Sequence, residues 1–236
     1  ESPVQTIEAA LAVAREAGVT TVLNTAPADA PSTIGLLKLA DVITPNETEF
    51  AALLGRHVGE RVDANDVAAL DGASLHALCR KLVGNGTVVV TLGSVGVFVS
   101  HADEHLRGDT QPYYRVGAEQ VQAIDTTGAG DAFNGALVAS LAQVPDAPFA
   151  RHVRFANQFA GRSTEKEGAA AAMPRWSWKT TMAAKRRASS SPANARSAPA
   201  SSSTGKRTAA SCSTIFIRTR AARCACTPPW RPRMCC

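Results

Sequence analysis

The segment Thr127-Gly128-Ala129-Gly130-Asp131 carries the densest chemistry in this 236-residue chain. Small residues let a backbone turn sharply and present its N–H groups outward. A helix starting there adds unsatisfied N–H groups and the positive end of its dipole. Together these make an anion site suited to phosphate. The acid that closes the segment fits two roles. It is a helix-favouring residue of a first turn, or a base that takes a proton from an attacking hydroxyl while the N–H groups stabilise a transferring phosphoryl group. No Gly-x4-Gly-Lys-Ser/Thr pattern occurs, and Gly205-Lys206-Arg207 lacks the upstream glycine and the hydroxyl. Phosphate chemistry here is therefore not that of a P-loop.

The elements that would position this segment alternate. Ser2-Pro3 suits a helix start, with Ser2 as cap, and Val4, Ile7, Leu11 and Ala14 follow at helical spacing up to Gly18. Val19 to Leu23 reads as a buried strand. A helix near 31–40 and a strand over 41–44 come next, and Asn46-Glu47-Thr48-Glu49 opens another helix. Residues 63–83 read as one long helical stretch. Thr87 to Thr91 is the clearest strand, and Leu92-Gly93-Ser94-Val95-Gly96 turns it into the partner strand Val97-Phe98-Val99. Strands near 112–116 and 121–124 lead to the Gly-rich turn, and helices follow it and span about 149–162. Such alternation means a layered α/β sheet, with ligands at the carboxyl ends of the strands. That rim would carry Asn24, Asn46, Glu49, Thr91 to Gly96 and Asp125 to Asp131.

Composition divides the chain at Pro174. Residues 175–236 hold 13 of the 25 Lys and Arg and no Asp or Glu. Residues 1–174 carry 12 basic and 20 acidic residues, a net charge of −8, so the overall +5 describes neither part. An acidic body argues against nucleic acid as its partner. Five of the six cysteines lie in the tail; only Cys79 belongs to the body, which fits a reducing, cytoplasmic setting better than a disulfide scaffold. No apolar run is long enough for a membrane span, and no secretory signal precedes Glu1. Glu1 stands where a Met would open a chain, so the sequence is expected to start mid-protein. Two readings fit the tail: a basic disordered segment, or a shifted reading frame of a GC-rich gene. Neither assigns it a fold.

Residues 125–138, Asp-Thr-Thr-Gly-Ala-Gly-Asp-Ala-Phe-Asn-Gly-Ala-Leu-Val, resemble the C-terminal signature of the ribokinase-like (PfkB) carbohydrate kinases. Thr44-Pro45-Asn46-Glu47-Thr48-Glu49 resembles the family's Asn-x-x-Glu motif. Asn24-Thr25-Ala26-Pro27-Ala28 resembles the Asn-Pro-Ala-Pro-Ala loop of its ribokinase branch, with Thr25 in place of proline. Thr91 to Gly96 resembles the nucleotide-binding turn. The likeness runs in order from residue 1 to about 174.

The resemblance implies a ribokinase-like layered α/β/α sheet, truncated at its N-terminus, and phosphorylation of the primary hydroxyl of D-ribose by ATP with Mg²⁺ and K⁺. Asp131 would be the general base, with Gly128, Ala129 and Gly130 forming the anion hole. Asn46 and Glu49 would position Mg²⁺ and the ATP phosphates, mostly through water. Thr91, Leu92, Gly93, Ser94, Val95 and Gly96 would hold the nucleotide, with Asn157 at its adenine or ribose side. Asp125, Thr127, Ser163, Lys166 and Gly168 would surround the monovalent cation, although Ala172 stands where a hydroxyl residue is usual. Glu1 would touch the sugar. The family's N-terminal half, with most of the sugar pocket and the lid that pairs subunits into a homodimer, has no counterpart here. The chain as written is thus expected to phosphorylate ribose poorly. Sibling kinases of fructose or adenosine, and a nucleotide-binding fragment without catalysis, are the alternatives.

Weaker patterns have blander readings. His101-Ala102-Asp103-Glu104-His105 fits a solvated hairpin loop better than a metal site. Asn46-Glu47-Thr48 is formally a glycosylation sequon but lacks a secretory context. Cys224-Ala225-Cys226 and Cys235-Cys236 lack the spacing of a zinc site. The basic tail offers only Trp176, Trp178, Phe216 and Trp230 to stack nucleic-acid bases.

Overall fold

Thr87-Val88-Val89-Val90-Thr91 has no charge and three consecutive valines, the composition of a strand covered on both faces. In the computed structural model, which describes residues 2–29, 32–175 and 214–217, this run lies inside a six-stranded sheet. The strands are β1 (Thr20–Leu23), β2 (Val42–Ile43), β3 (Thr87–Thr91), β4 (Gly96–Ser100), β5 (Tyr113–Gly117) and β6 (Thr214–Ile217). Their order across the sheet is β5-β4-β3-β2-β1-β6. β1, β2 and β3 are parallel; β4 and β5 return antiparallel, and β6 pairs antiparallel with β1.

The helices are α1 (Val4–Glu16), α2 (Ile34–Leu39), α3 (Glu47–His57), α4 (Gly72–Leu82), α5 (Ala129–Gln143), α6 (Phe149–Ser163) and α7 (Ala169–Ala172). They form two layers. Ile7 and Leu11 of α1, Leu37 of α2, Phe50 and Leu54 of α3, and Leu75 and Leu82 of α4 meet Val88 and Val90 on one face. Phe133 and Leu137 of α5 and Val153 and Ala156 of α6 meet Val22, Val42 and Val89 on the other. The period-two alternation of a strand thus sends successive valines of β3 into opposite cores.

The structure departs from the sequence reading at four places. Helix α1 starts at Val4 with Pro3 as its N-cap and no side-chain cap, so Ser2 does not cap it. Residues 63–83 are two pieces: a 3₁₀ turn over Val67–Ala69, then α4, which Asp71 caps by accepting from the Ser74 amide at 2.9 Å. A capping aspartate outcompetes continuity of the apolar pattern. Residues 121–124 form no strand; the Ile124 and Asp125 amides both donate to the Thr164 carbonyl, at 2.7 and 3.1 Å. Thr214–Ile217, in the region given no fold, forms β6; the rest of that region beyond Arg175 lies outside the described residues.

His101 also differs from its expected solvated state, being fully buried. Its Nε2 lies 3.1 Å from the Asp109 carboxylate and its Nδ1 3.0 Å from the Thr87 hydroxyl. The same carboxylate accepts from the Tyr114 hydroxyl at 2.6 Å and from the Ala150 amide at 3.0 and 3.1 Å. Asp109 therefore ties the 101–112 loop, β5 and the first turn of α6 together. Nearby, Ser140 Oγ and His152 Nδ1 join α5 to α6 at 2.8 Å.

Two outcomes test this core. Leu75→Ala removes a fully buried side chain and is expected to lower unfolding free energy by about 2–5 kcal/mol in urea titration. Burial holds His101 and His152 below the ordinary 6.5, the former against the opposing pull of Asp109. Acidification then protonates the unfolded chain first. Stability is full above 6.5 and is lost as pH falls from there towards the lowered folded values. Imidazole resonances that titrate at or above 6.5 would contradict this assignment.

Candidate active site

Two clusters stand on the carboxyl rim of the parallel strands. The first joins the loop after β1 to the start of α3. Asn46 caps α3, accepting from the Glu49 amide at 2.8 Å. The Glu49 carboxylate returns the bond, accepting from the Asn46 amide at 3.0 Å. This reciprocal pair is a capping box. Glu49 also accepts from the Asn46 side-chain amide at 2.9 Å and from the Thr25 hydroxyl at 3.1 Å. Burial raises its pKa above the ordinary carboxylate value, while the Asn46 and Thr25 bonds oppose that rise. Thr25 thus has a use of its own in the position where the family's loop carries proline. Asn46 also forms a parallel bridge with Thr91, which brings the end of β3 beside this cluster.

The β3–β4 hairpin forms as expected, with a 3₁₀ turn over Gly93–Val95. Thr91, Leu92, Gly93, Ser94, Val95 and Gly96 all lie in it or at its ends, with Leu92 buried and Val95 exposed. Gly96 has φ +112°, and a Cβ there would collide with the Val116 carbonyl of β5. Between α1, the loop after β1 and α2, a cavity of about 470 Å³ is lined by Pro3, Ile7, Leu23, Asn24, Thr25 and Leu36, among others.

The second cluster is the turn into α5. Gly128 is the N-cap at φ +78°, with no side chain capping the helix. The Ala129 amide donates to the Thr126 carbonyl at 3.1 Å, so it is already engaged. The amides of Gly130 and Asp131 have no hydrogen bond among the described residues, and they are the donors this turn offers. Asp131 is exposed in the first helical turn, where the dipole favours a carboxylate. A groove of about 320 Å³ opens beside it, between α5 and Phe155 and Phe159 of α6, closed by Met173 and Pro174.

Asp125 holds the turn in place. Its two carboxylate oxygens accept from the Thr127 amide at 2.9 Å and the Gly168 amide at 2.8 Å. These bonds, led by those with Thr127, hold its pKa below the ordinary value. Asp125, Thr127 and Gly168 are thereby brought together. Lys166 lies in the turn between α6 and α7. The Ser163 hydroxyl is buried and donates back to the Ala160 carbonyl at 2.7 Å. Ala172, where a hydroxyl was expected, is buried in α7. Gly128 also comes so close to α7 that a Cβ there would sit 2.8 Å from the Ala169 Cβ.

Asn157 joins α6 to β5, its side-chain amide donating to the Gly117 carbonyl at 2.7 Å. Glu1 lies outside the described residues. Asn134 was missed by sequence reasoning. It is buried one turn beyond Asp131, and its side-chain oxygen has no partner among the described residues. A polar residue amid Ala132, Phe133, Ala136 and Leu137 was the available signal. No group of three or more His, Cys, Asp or Glu side chains suited to a metal occurs among the described residues. Nor is any of their helices long and apolar enough to cross a membrane.

The fold and the rim together define a layered α/β protein whose α5 starts at a glycine turn that leaves the Gly130 and Asp131 amides unpaired among the described residues. Comparison with known proteins narrows this class. The chain belongs to the pfkB family of carbohydrate kinases, whose family model matches residues 1–176. It is 39% identical over 174 residues to the ribokinase of Haemophilus influenzae, covering 74% of this chain and 50% of that protein. It is 37% identical over 175 residues to the ribokinase of Staphylococcus aureus, covering 74% and 51%. Among solved structures, Arabidopsis thaliana ribokinase complexed with ribose and ATP superposes with a TM-score of 0.57 at 27% identity, over 73% of this chain and 50% of that one. The chain thus spans about half the length of the curated relatives it matches.

Gly128→Ala tests the turn. A side chain at φ +78° costs roughly 1–2 kcal/mol before any contact with Ala169. Loss of that amount in denaturant titration, with faster proteolytic cleavage between α6 and α7, is the expected result. Unchanged stability would mean that the turn and α7 are not in contact.

Proposed function

We propose that this chain supplies the nucleotide-binding and proton-abstracting part of a sugar kinase that transfers the terminal phosphoryl group of ATP to the primary hydroxyl of D-ribose. The observation that carries it is Asp131 in the first turn of α5, whose own amide and that of Gly130 are unengaged at the helix N-terminus. Ribokinases at 37–39% identity are its support for ribose as the acceptor. Fructose and adenosine are the alternative acceptors, and the half-length match favours a nucleotide-binding role for the chain on its own.

In this reading Asp131 takes the proton from the attacking hydroxyl. The Gly130 and Asp131 amides stabilise charge on the transferring phosphoryl group; one such donor is worth about 3 kcal/mol of barrier. Phosphoryl transfer asks the protein mainly for alignment and charge neutralisation. Asn46 and Glu49 would orient Mg²⁺-bound water and ATP phosphates. Their bonds to each other keep the carboxylate aimed at the rim. Thr91 to Gly96 would line the nucleotide, with Asn157 behind β5. The oxygen donors of Asp125, Ser163 and the 164–168 backbone suit a hard cation such as K⁺. The bonds of Asp125 to the Thr127 and Gly168 amides would pass its ordering effect to the anion turn. Mg²⁺ held near Asn46 and Glu49 would supply charge that offsets the phosphates.

The test grafts residues 1–174 into the matching segment of the Haemophilus influenzae protein, which restores family length. The hybrid is expected to release ADP in a ribose-dependent reaction. Asp131→Asn should lower kcat by about 10²–10⁴ and leave MgATP affinity, read by calorimetry, within twofold. Turnover retained in that variant would remove Asp131 from the base role. Asp125→Ala should weaken activation by K⁺ relative to Na⁺; equal activation would remove the cation site.

A further inference from the structure

The amino ends of β1, β2 and β3, opposite the rim, carry a cation outside the kinase site. Arg107 stands in a tight turn over 106–109, closed by the Asp109 amide donating to the Leu106 carbonyl at 2.9 Å. Both central residues have positive φ, +51° at Arg107 and +82° at Gly108. Two-residue turns of this backbone favour Asn-Gly, Asp-Gly or Gly-Gly. Arg107 is the one residue other than glycine with a positive φ among the described residues. Such strain persists where the surroundings over-determine it, and it gathers at ligand clamps.

The guanidinium lies across the strand starts. Its Nε donates to the Thr87 hydroxyl at 2.9 Å and its Nη2 to the Asp41 carbonyl at 3.0 Å. Nη1 has no hydrogen-bond partner among the described residues. A cavity of about 200 Å³ opens here, between the first residue of β1, the end of α5 and the start of α6. Leu141, Pro145 and Phe149 give it apolar walls, and its polar lining is Thr20, Arg107 and His152. The Thr20 hydroxyl makes no hydrogen bond among the described residues. His152 brings neither charge nor a free nitrogen. Its Nε2 donates to the Ala147 carbonyl at 3.2 Å, its Nδ1 is held by Ser140 Oγ at 2.8 Å, and burial lowers its pKa. No carboxylate lines the cavity, and Asp146 is exposed outside it. Asp41 Oδ1 stands 3.9 Å from Nη2, while its Oδ2 accepts from the Thr21 amide and hydroxyl at 2.8 and 2.9 Å. Asp109 is engaged by His101, Tyr114 and Ala150.

We propose that this cavity binds a short-chain monocarboxylate, its oxygens on Arg107 Nη1 and the Thr20 hydroxyl and its hydrocarbon body against Leu141, Pro145 and Phe149. A carboxylate on a guanidinium makes a charge-assisted bond, and arginine is weakly hydrated enough to be used in a half-buried site. The volume lies below the roughly 300–1,000 Å³ of pockets for drug-sized ligands, so the occupant is small. One negative charge suits it better than two, because Asp41 and the carbonyl end of α5 stand beside the cavity. The apolar walls favour a ligand with a body to bury over a bare inorganic anion. None of these residues belongs to the carboxyl rim, so the site is independent of the sugar-kinase reading.

The experiment titrates butyrate into the full 236-residue chain by calorimetry, with nitrogen–proton correlation spectra recorded alongside. Saturable binding with a dissociation constant below about 10 mM is expected, with shifts at the Thr20 amide and the Arg107 Nε–H. Arg107→Asn removes the guanidinium and puts in its place a residue that tolerates positive φ. Ala147→Leu leaves Arg107 untouched and fills the cavity from the loop after α5. Each is expected to weaken butyrate binding at least roughly tenfold. Should Arg107→Asn fail to fold, Ala147→Leu decides alone. Absence of saturable binding, or unchanged affinity in either folded variant, would overturn the site. Butanol bound as tightly as butyrate would overturn the role of the charge, and inorganic phosphate bound more tightly would overturn the monocarboxylate.

Discussion

Three parallel strands impose most of what this molecule is. Parallel neighbours cannot be joined by a tight turn, so each must be followed by a helix that returns over a face. A sheet built this way needs cover on both faces, which the two helical layers supply. It also puts like ends of β1, β2 and β3 on one rim. The Asn24–Thr25 loop, the α3 cap and the end of β3 are neighbours for that reason alone. The antiparallel pair β4–β5 then extends the sheet without adding a crossover.

The rim is assembled from helix-terminal bonds more than from ion pairs. Asn46 and Glu49 satisfy each other's backbone donors, and that same exchange fixes a buried carboxylate. Asp125 uses both oxygens on the amides of two separate loops. Among the described residues, neither acid forms an ion pair. Asp125 is held by backbone amides, and Glu49 by one backbone amide with the Asn46 and Thr25 side chains. The α5 turn is the exception, because its N-cap is a glycine that offers no side chain. Donors left unpaired there are what an anion could use.

Much of this was legible in the residue order. Glycine and proline mark the ends of α1 and β2, and the valine run of β3 announces a doubly covered strand. The turn at 125–131 was readable because glycine, alanine and aspartate each have a distinct conformational reason to be there. Other features needed three dimensions. Asp71 breaks residues 63–83 through a local cap that apolar spacing does not register. Val121 and Ile124 look like strand residues, but the Thr164 carbonyl binds the amides a ladder would need. His101 reads as solvated beside Asp103 and Glu104, yet its partners are Thr87 and Asp109, remote in sequence. The engaged Ala129 amide and the lone Asn134 oxygen depend on atoms that spacing cannot place.

The Asp109 junction has a mechanical meaning. It pins the amino end of α6 to buried ground on the side of the sheet away from the rim. The carboxyl end of the same helix carries the Ser163–Gly168 turn and, through Gly168, the Asp125 carboxylate. α6 is thus a lever with a fixed fulcrum. Its 15 residues span about 22 Å at 1.5 Å per residue, so a tilt of a few degrees at the pinned end moves the far end by an ångström or more. A shift of the turn into α5 that is passed on through Gly168 would then reach α6 as a pivot about Asp109.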